Sequence, residues 1–162
     1  MEKLKNIIKY FLLNQKRSKE KCVELARIGL FLYLVDWHCA VKQGKIVTEI
    51  KWELTKNKIQ DSEEIEKAVN DKAMFELGND ETIPLPMKTT VKYISQDNCN
   101  NFTVDDLNVF NRVIEISDER NIVDMLIFAL STYPVISGTD EPNGNILDKA
   151  TEYKRLKQSR KK

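Results

Sequence analysis

The sequence has few of the residues that build metal and disulfide sites. Its 162 residues include three cysteines and one histidine. The cysteines, Cys22, Cys39 and Cys99, are odd in number and form no CxxC pair, which favours reduced thiols over a disulfide framework. With His38 as the single imidazole, a metal site would need carboxylates and thiols from elsewhere in the chain. We therefore expect no metal and no cofactor.

The motifs of several catalytic classes are also missing. A Walker loop, a GxGxxG turn and an HExxH helix are all absent, so the sequence gives no support to phosphate-loop, dinucleotide or zinc-protease chemistry. The run Asp36-Trp37-His38-Cys39 brings an acid, an imidazole and a thiol together. Consecutive helical residues diverge by about 100°, however, so these groups do not converge on one substrate atom. We predict a non-enzyme in which Asp36 is buried and anchors backbone groups or a Tyr33-type hydroxyl.

Nothing in the sequence predicts export or membrane insertion. The opening MEKLK runs straight into an amphipathic pattern, without the apolar core of a signal peptide. The apolar run between Arg27 and Asp36 is too short to span a membrane. With 41% hydrophobic and 31% charged residues, the chain is expected to be one cytoplasmic globular domain over residues 1–162.

Charge is spread unevenly along the chain. Residues 1–22 carry a net charge of +5 and residues 149–162 carry +6, whereas residues 23–148 carry −10, which leaves +1 overall. Basic ends on an acidic body could bind nucleic acid, or could dock on an acidic protein partner. Solvated terminal helices are the simpler explanation.

Hydrophobic periodicity predicts a mostly helical α+β fold. Residues 25–35 are apolar nearly all round, so they predict a central helix, with Ser18 as its N-cap and Gly44 at its end. Surrounding helices are predicted at residues 2–13, from Asp61 to about Leu77, from Thr103, at 122–132 ending at Tyr133-Pro134, and at 146–161.

Two segments predict a small antiparallel β-sheet. Residues 46–54 alternate apolar and polar side chains, with Ile50 and Trp52 on the apolar face, which is typical of a half-buried strand. Residues 89–94 are expected to form a second strand that pairs with it. The predicted architecture is a central apolar helix with helices and this sheet around it.

A resemblance to a known family rests on both halves of the chain. The residues that carry it are Leu30-x-x-Tyr33-Leu34-x-Asp36-Trp37-His38 with Gly44 and a strand, Phe102 to Leu107, Leu130 to Val135, and Gly144-Asn145-Ile146. Over residues 20–155 this pattern resembles the Panacea (SocA-like) antitoxin domain. The chain departs from that pattern at Thr55–Gln60, which lacks a Gly-Pro-Val motif, and at Val135, where a tryptophan is common.

The resemblance implies a bacterial or prophage protein that neutralises a toxin by direct protein–protein contact. Toxins of the alarmone-synthetase type are among the partners of such antitoxins, and SocA also works as a proteolytic adaptor, so a protease or chaperone is a further possible partner. The structural signature is Tyr33, Asp36, Trp37, His38 and Gly44.

The expected partner face joins the strand near Trp52 with residues 133–145, above all Tyr133, Pro134 and Val135. Nucleic-acid binding through the basic C-terminal helix is the alternative. The acidic centre of the chain and the lack of length for a separate DNA-binding domain favour toxin binding over it.

Overall fold

The computed structural model describes residues 1–17, 22–61, 63–83, 87–96, 101–139 and 145–160. Of these residues, 56% are helical and 13% are in strands, so the predicted α+β, mostly helical fold class is confirmed. The helices are α1 Glu2–Asn14, α2 Leu25–Gln43, α3 Glu64–Val69, α4 Val104–Asp118, α5 Ile122–Leu130, α6 Tyr133–Ile136 and α7 Ile146–Ser159. The strands are β1 Cys22–Glu24, β2 Glu53–Thr55, β3 Lys58–Gln60, β4 Phe75–Asn79 and β5 Thr89–Tyr93.

Helix α2 is the central helix that the sequence predicted. It packs against α1, α4, α5, α7, β1 and β5, and its apolar residues are buried on nearly every face because neighbours surround it. Gly44 ends it with a φ of 69°, the left-handed conformation that glycine adopts without steric cost. The helix begins at Leu25, directly after β1, and the proposed cap Ser18 lies outside the described residues.

The sheet differs from the prediction in its pairing. Strand β5 lies at the centre of a three-stranded antiparallel sheet in the order β1-β5-β4, so both of its edges are occupied. The predicted pairing of residues 46–54 with 89–94 is therefore wrong. Only Glu53–Thr55 of that segment is a strand, and it forms a separate hairpin with Lys58–Gln60.

The helix predicted from Asp61 to Leu77 is also wrong in its length. Helix α3 ends at Val69, and Phe75–Asn79 is strand β4 instead. The Asp71 carbonyl accepts the Met74 and Phe75 amides, which closes a turn between the two elements. The buried Phe75 then lies opposite Tyr93 on β5, so sheet pairing overrides the local helical pattern.

Helices α1, α4 and α7 lie close to their predicted positions. Thr103 accepts the Asp106 amide and caps α4, while Asn145 accepts the Asp148 amide and caps α7. Helix α5 ends at Leu130, and Tyr133-Pro134 begin the short α6 rather than ending a longer helix. Among the described residues, no helix has both the length and the apolarity to cross a membrane.

Candidate functional site

Asp36 holds the loop that follows α2. The side chain is 0% exposed, and its carboxylate accepts the Val47 amide at 2.8 Å, the Thr48 amide at 3.0 Å and the Trp52 indole N–H at 2.9 Å. The Thr48 hydroxyl donates to it as well. Burial raises the pKa of Asp36, while these donors act in the opposite direction. The predicted anchoring of backbone groups is confirmed, and the hydroxyl partner is Thr48, not Tyr33.

This anchoring explains why residues 46–52, here named the Asp36 loop, do not form a strand. Two of its amides point at the carboxylate and cannot join a ladder of strand hydrogen bonds. Glu49 has a φ of 64°, which turns the chain, and the Ile50 amide then donates back to the Thr48 hydroxyl oxygen. The result is a compact loop around one buried acid.

Tyr33 joins α2 to the turn between α5 and α6. Its hydroxyl lies 2.6 Å from Thr132 Oγ1, and because Thr132 itself donates to the Ala129 carbonyl, Tyr33 is the donor. The Tyr33 ring meets the Trp52 indole edge to face at 5.6 Å between centroids. Burial raises the pKa of Tyr33, so the hydroxyl stays protonated and keeps its bond.

Trp37, His38 and Cys39 are directed to different surroundings. Trp37 packs on Tyr153 of α7 at 5.5 Å, His38 is half-buried, and Cys39 is buried. Burial raises the pKa of the Cys39 thiol to about 12 and lowers the pKa of His38. A protonated thiol at neutral pH is a poor nucleophile and a poor metal ligand. Within the described ranges, no three His, Cys, Asp or Glu side chains group closely enough to hold a metal ion.

Helix α5 presents an apolar face to solvent. Its sequence IVDMLIFAL holds one polar residue, yet only Met125 and Ala129 are fully buried. Val123 is 55% exposed and Ile127 is 60% exposed. The helical spacing places four residues on one side, which we name the α5 stripe: Val123, Leu126, Ile127 and Leu130. Leu126 and Leu130 are half-buried against the core. A helix that is apolar all round is normally covered on all sides, so the exposed part of the α5 stripe, Val123 and Ile127, lacks a cover.

A groove adjoins the α5 stripe through Leu126. This α2–α5 groove encloses about 380 Å³. The groove is lined by Leu25, Ala26, Gly29, Leu30, Trp52, Ile59, Asp61, Ile65, Glu66, Met87, Thr89 and Leu126. Stripe and groove together form a largely apolar surface, of the kind that marks binding sites for other proteins.

A second pocket lies beside α7, away from the groove. Trp37, Tyr133 and Tyr153 contribute aromatic rings, and Lys157 and Arg160 contribute positive charge. The Lys157 ammonium lies 5.0 Å from the centre of the Tyr153 ring, a cation–π distance. We name this the α7 pocket.

The residues predicted for partner binding fall in different places. Trp52 is half-buried in the α2–α5 groove, and Tyr133 is half-buried in the α7 pocket. Pro134 and Val135 are buried in the interior, so their side chains are not available to a partner in this conformation. Sequence reasoning missed the α5 stripe, although the near absence of polar residues from 122 to 130 was its signal.

Comparisons of the chain with family models, with curated proteins and with solved structures found no match.

Proposed function

We propose that the chain is a non-enzymatic, antitoxin-like protein that neutralises a partner toxin by direct protein–protein binding. The setting we propose is the cytoplasm of a bacterium, with the toxin encoded in the same bacterial or prophage operon. The carrying observation is the exposed α5 stripe beside the α2–α5 groove. The resemblance to Panacea antitoxin domains supports the choice of a toxin, such as an alarmone-synthetase-like enzyme, as the partner.

The α5 stripe favours a protein partner on energetic grounds. Fully burying one aliphatic side chain of this size contributes about 1.5–3 kcal/mol, and roughly half of that is available from each of Val123 and Ile127, which are 55% and 60% exposed. A protein can cover an exposed helix face together with a neighbouring groove, whereas a small molecule is usually enclosed by its pocket. Trp52, at the groove, adds an aromatic residue of the type that often dominates interface energies.

The engagement of the reactive groups supports a binding role rather than catalysis. The Asp36 carboxylate is saturated by donors from its own chain, and the Cys39 thiol is buried with a raised pKa. These side chains stabilise the fold, so we assign the binding function to the outer surface of the protein.

Co-expression with a toxic neighbouring reading frame tests the proposal. We expect a stoichiometric complex and restored growth with the wild-type chain. Ile127→Glu should weaken the complex at least about tenfold, because it places a charge in the covered interface. Val104→Glu is the matched control, since Val104 is 74% exposed and lies at the start of α4, outside the α5 stripe and outside both pockets.

Two results would contradict the proposal. One is that the wild-type chain neither binds the neighbouring gene product nor restores growth. The other is that Ile127→Glu and Val104→Glu, both with wild-type melting curves, weaken the complex equally. The second result would move the interface away from the α5 stripe.

Nucleic-acid binding through α7 is the second candidate function. The α7 pocket favours it, because the aromatic rings of Tyr133 and Tyr153 beside Lys157 and Arg160 suit a base and its phosphate. A mobility-shift assay at low and high salt separates the two functions. A sequence-specific shift that weakens steeply with salt would support nucleic-acid binding.

A further inference from the structure

We propose that the α2–α5 groove receives a basic amphipathic helix of the partner, a proposal that rests on the protein-binding function above. Such a helix would lay its apolar face in the groove and its lysines or arginines along the rim. Two independent features of the groove, its floor and its charge, define this occupant.

The floor of the groove is apolar and has small side chains. Ala26 and Gly29 lie one turn apart on α2, and both are half-buried in the groove. A Cβ added at Gly29 would meet the Ile65 Cδ1 at 3.6 Å, an ordinary contact, so Ile65 already packs against this glycine and leaves room there for a methyl group only. The apolar face of a docked helix would therefore rest against Ala26, Ile65 and Leu126, which line the same groove.

The charge of the groove selects a basic partner segment. Among the described lining residues, the charged ones are Asp61 and Glu66, and both are acidic. One oxygen of Asp61 accepts the Ile65 amide, and Glu66 is exposed on the first turn of α3. All of the lining residues belong to residues 23–148, which carry a net charge of −10, and this favours a basic over an acidic partner segment.

A second copy of this chain fits the groove less well. Its basic helices are α1 and α7, and each already uses its apolar side internally. Helix α1 buries Leu4, Ile7, Ile8, Phe11 and Leu12. Helix α7 buries Ile146 and Ala150, with Leu147 and Tyr153 packed on the core. A partner protein is therefore the better source of a basic helix with a free apolar face.

Two designed peptides test the inference with the full chain. Both are about 18 residues long, enough to form a helix on binding, and both carry leucine at i, i+3, i+4 and i+7. One has lysine at the remaining positions and the other has glutamate. By fluorescence anisotropy, the lysine peptide should bind at least about tenfold more tightly than the glutamate peptide, more so at low salt.

Variants of the chain distinguish the groove from general attraction to an acidic protein. Glu66→Lys should weaken the lysine peptide about tenfold, whereas Glu63→Lys, the same charge change on an exposed residue outside the groove, should have a much smaller effect. Ala26→Leu fills the floor without changing charge and should also weaken the peptide about tenfold. Melting curves of each variant show whether the chain still folds.

Three outcomes would overturn the inference. These are equal losses from Glu66→Lys and Glu63→Lys, unchanged binding to a folded Ala26→Leu chain, and a self-associated chain that Ala26→Leu dissociates in sedimentation. None of them touches the antitoxin proposal itself, which is tested by the toxin complex and by Ile127→Glu.

Discussion

The Asp36 loop and the α5 stripe differ in where their side chains make contacts: those of the loop contact the rest of the chain, whereas part of the stripe faces solvent. In the loop, one carboxylate collects donors from three residues, and Trp52 and Tyr33 pack over it. On α5, two of nine residues are fully buried, and the aliphatic side chains of Val123 and Ile127 are exposed to solvent. The acid and aromatic residues of the loop are bound to other parts of the same chain, while aliphatic residues of α5 form the surface available to a partner.

The largest effect is expected from Asp36→Ala. The substitution leaves the Val47 and Thr48 amides and the Trp52 indole N–H without an acceptor inside the protein. We expect the free energy of unfolding to fall by about 3–5 kcal/mol, measured by urea denaturation. Glu53→Ala, which removes an exposed carboxylate nearby on β2, should change it by less than about 0.5 kcal/mol.

The same variant also tests whether Asp36 has an internal role. If Asp36→Ala kept the wild-type unfolding curve but lost binding to the proposed partner, Asp36 would be a contact residue and not an internal anchor. Asp36→Asn should lie between the wild type and the alanine variant, because the amide oxygen still accepts the two backbone amides.

A pair of glycine substitutions should give smaller effects of opposite sign. Gly44 has a positive φ and open space around it, so Gly44→Ala should destabilise by about 1 kcal/mol through backbone strain alone. Gly29 lies within α2 and has room for a methyl group. Gly29→Ala should therefore stabilise the fold by up to about 1 kcal/mol. Equal losses of stability at both positions in thermal melts would contradict this reading of the two sites.

The smallest effect on stability is expected on the α5 stripe. Val123→Gln and Ile127→Gln replace exposed aliphatic residues with a good helix former. Each should change the free energy of unfolding by less than about 0.5 kcal/mol, while binding to the proposed partner falls. A loss of several kcal/mol in either variant would mean that the stripe is covered by the chain itself in solution, and the contrast with the Asp36 loop would disappear.

The sequence predicted the helices best where their signals are local. A few consecutive residues were enough to predict three features: the apolar stripe of α1, the apolar run of α2 that ends at Gly44, and the Thr103 cap of α4. The prediction of Asp36 as a buried anchor also succeeded, because a carboxylate inside an apolar helix must find donors.

The failures came where a distant residue decides the local structure. Residues 46–52 alternate like a strand, but the Asp36 carboxylate takes two of their amides. Phe75–Asn79 continues a helical pattern, but pairing with β5 makes it a strand. The exposure of α5 could not be predicted either, because the sequence pattern of a nine-residue apolar segment is the same whether or not neighbouring elements cover it.

The closeness in sequence of Asp36 and its loop affects the order in which the chain can assemble. All partners of the carboxylate lie between 11 and 16 residues downstream. Strand β1, in contrast, pairs with the distant β5, where Cys22 lies opposite Lys92. During synthesis on the ribosome, we expect the acid to be enclosed early, since short loops close at low entropic cost. The three-stranded sheet could form only after β5 had emerged. Until then, β1 of the nascent chain would remain unpaired.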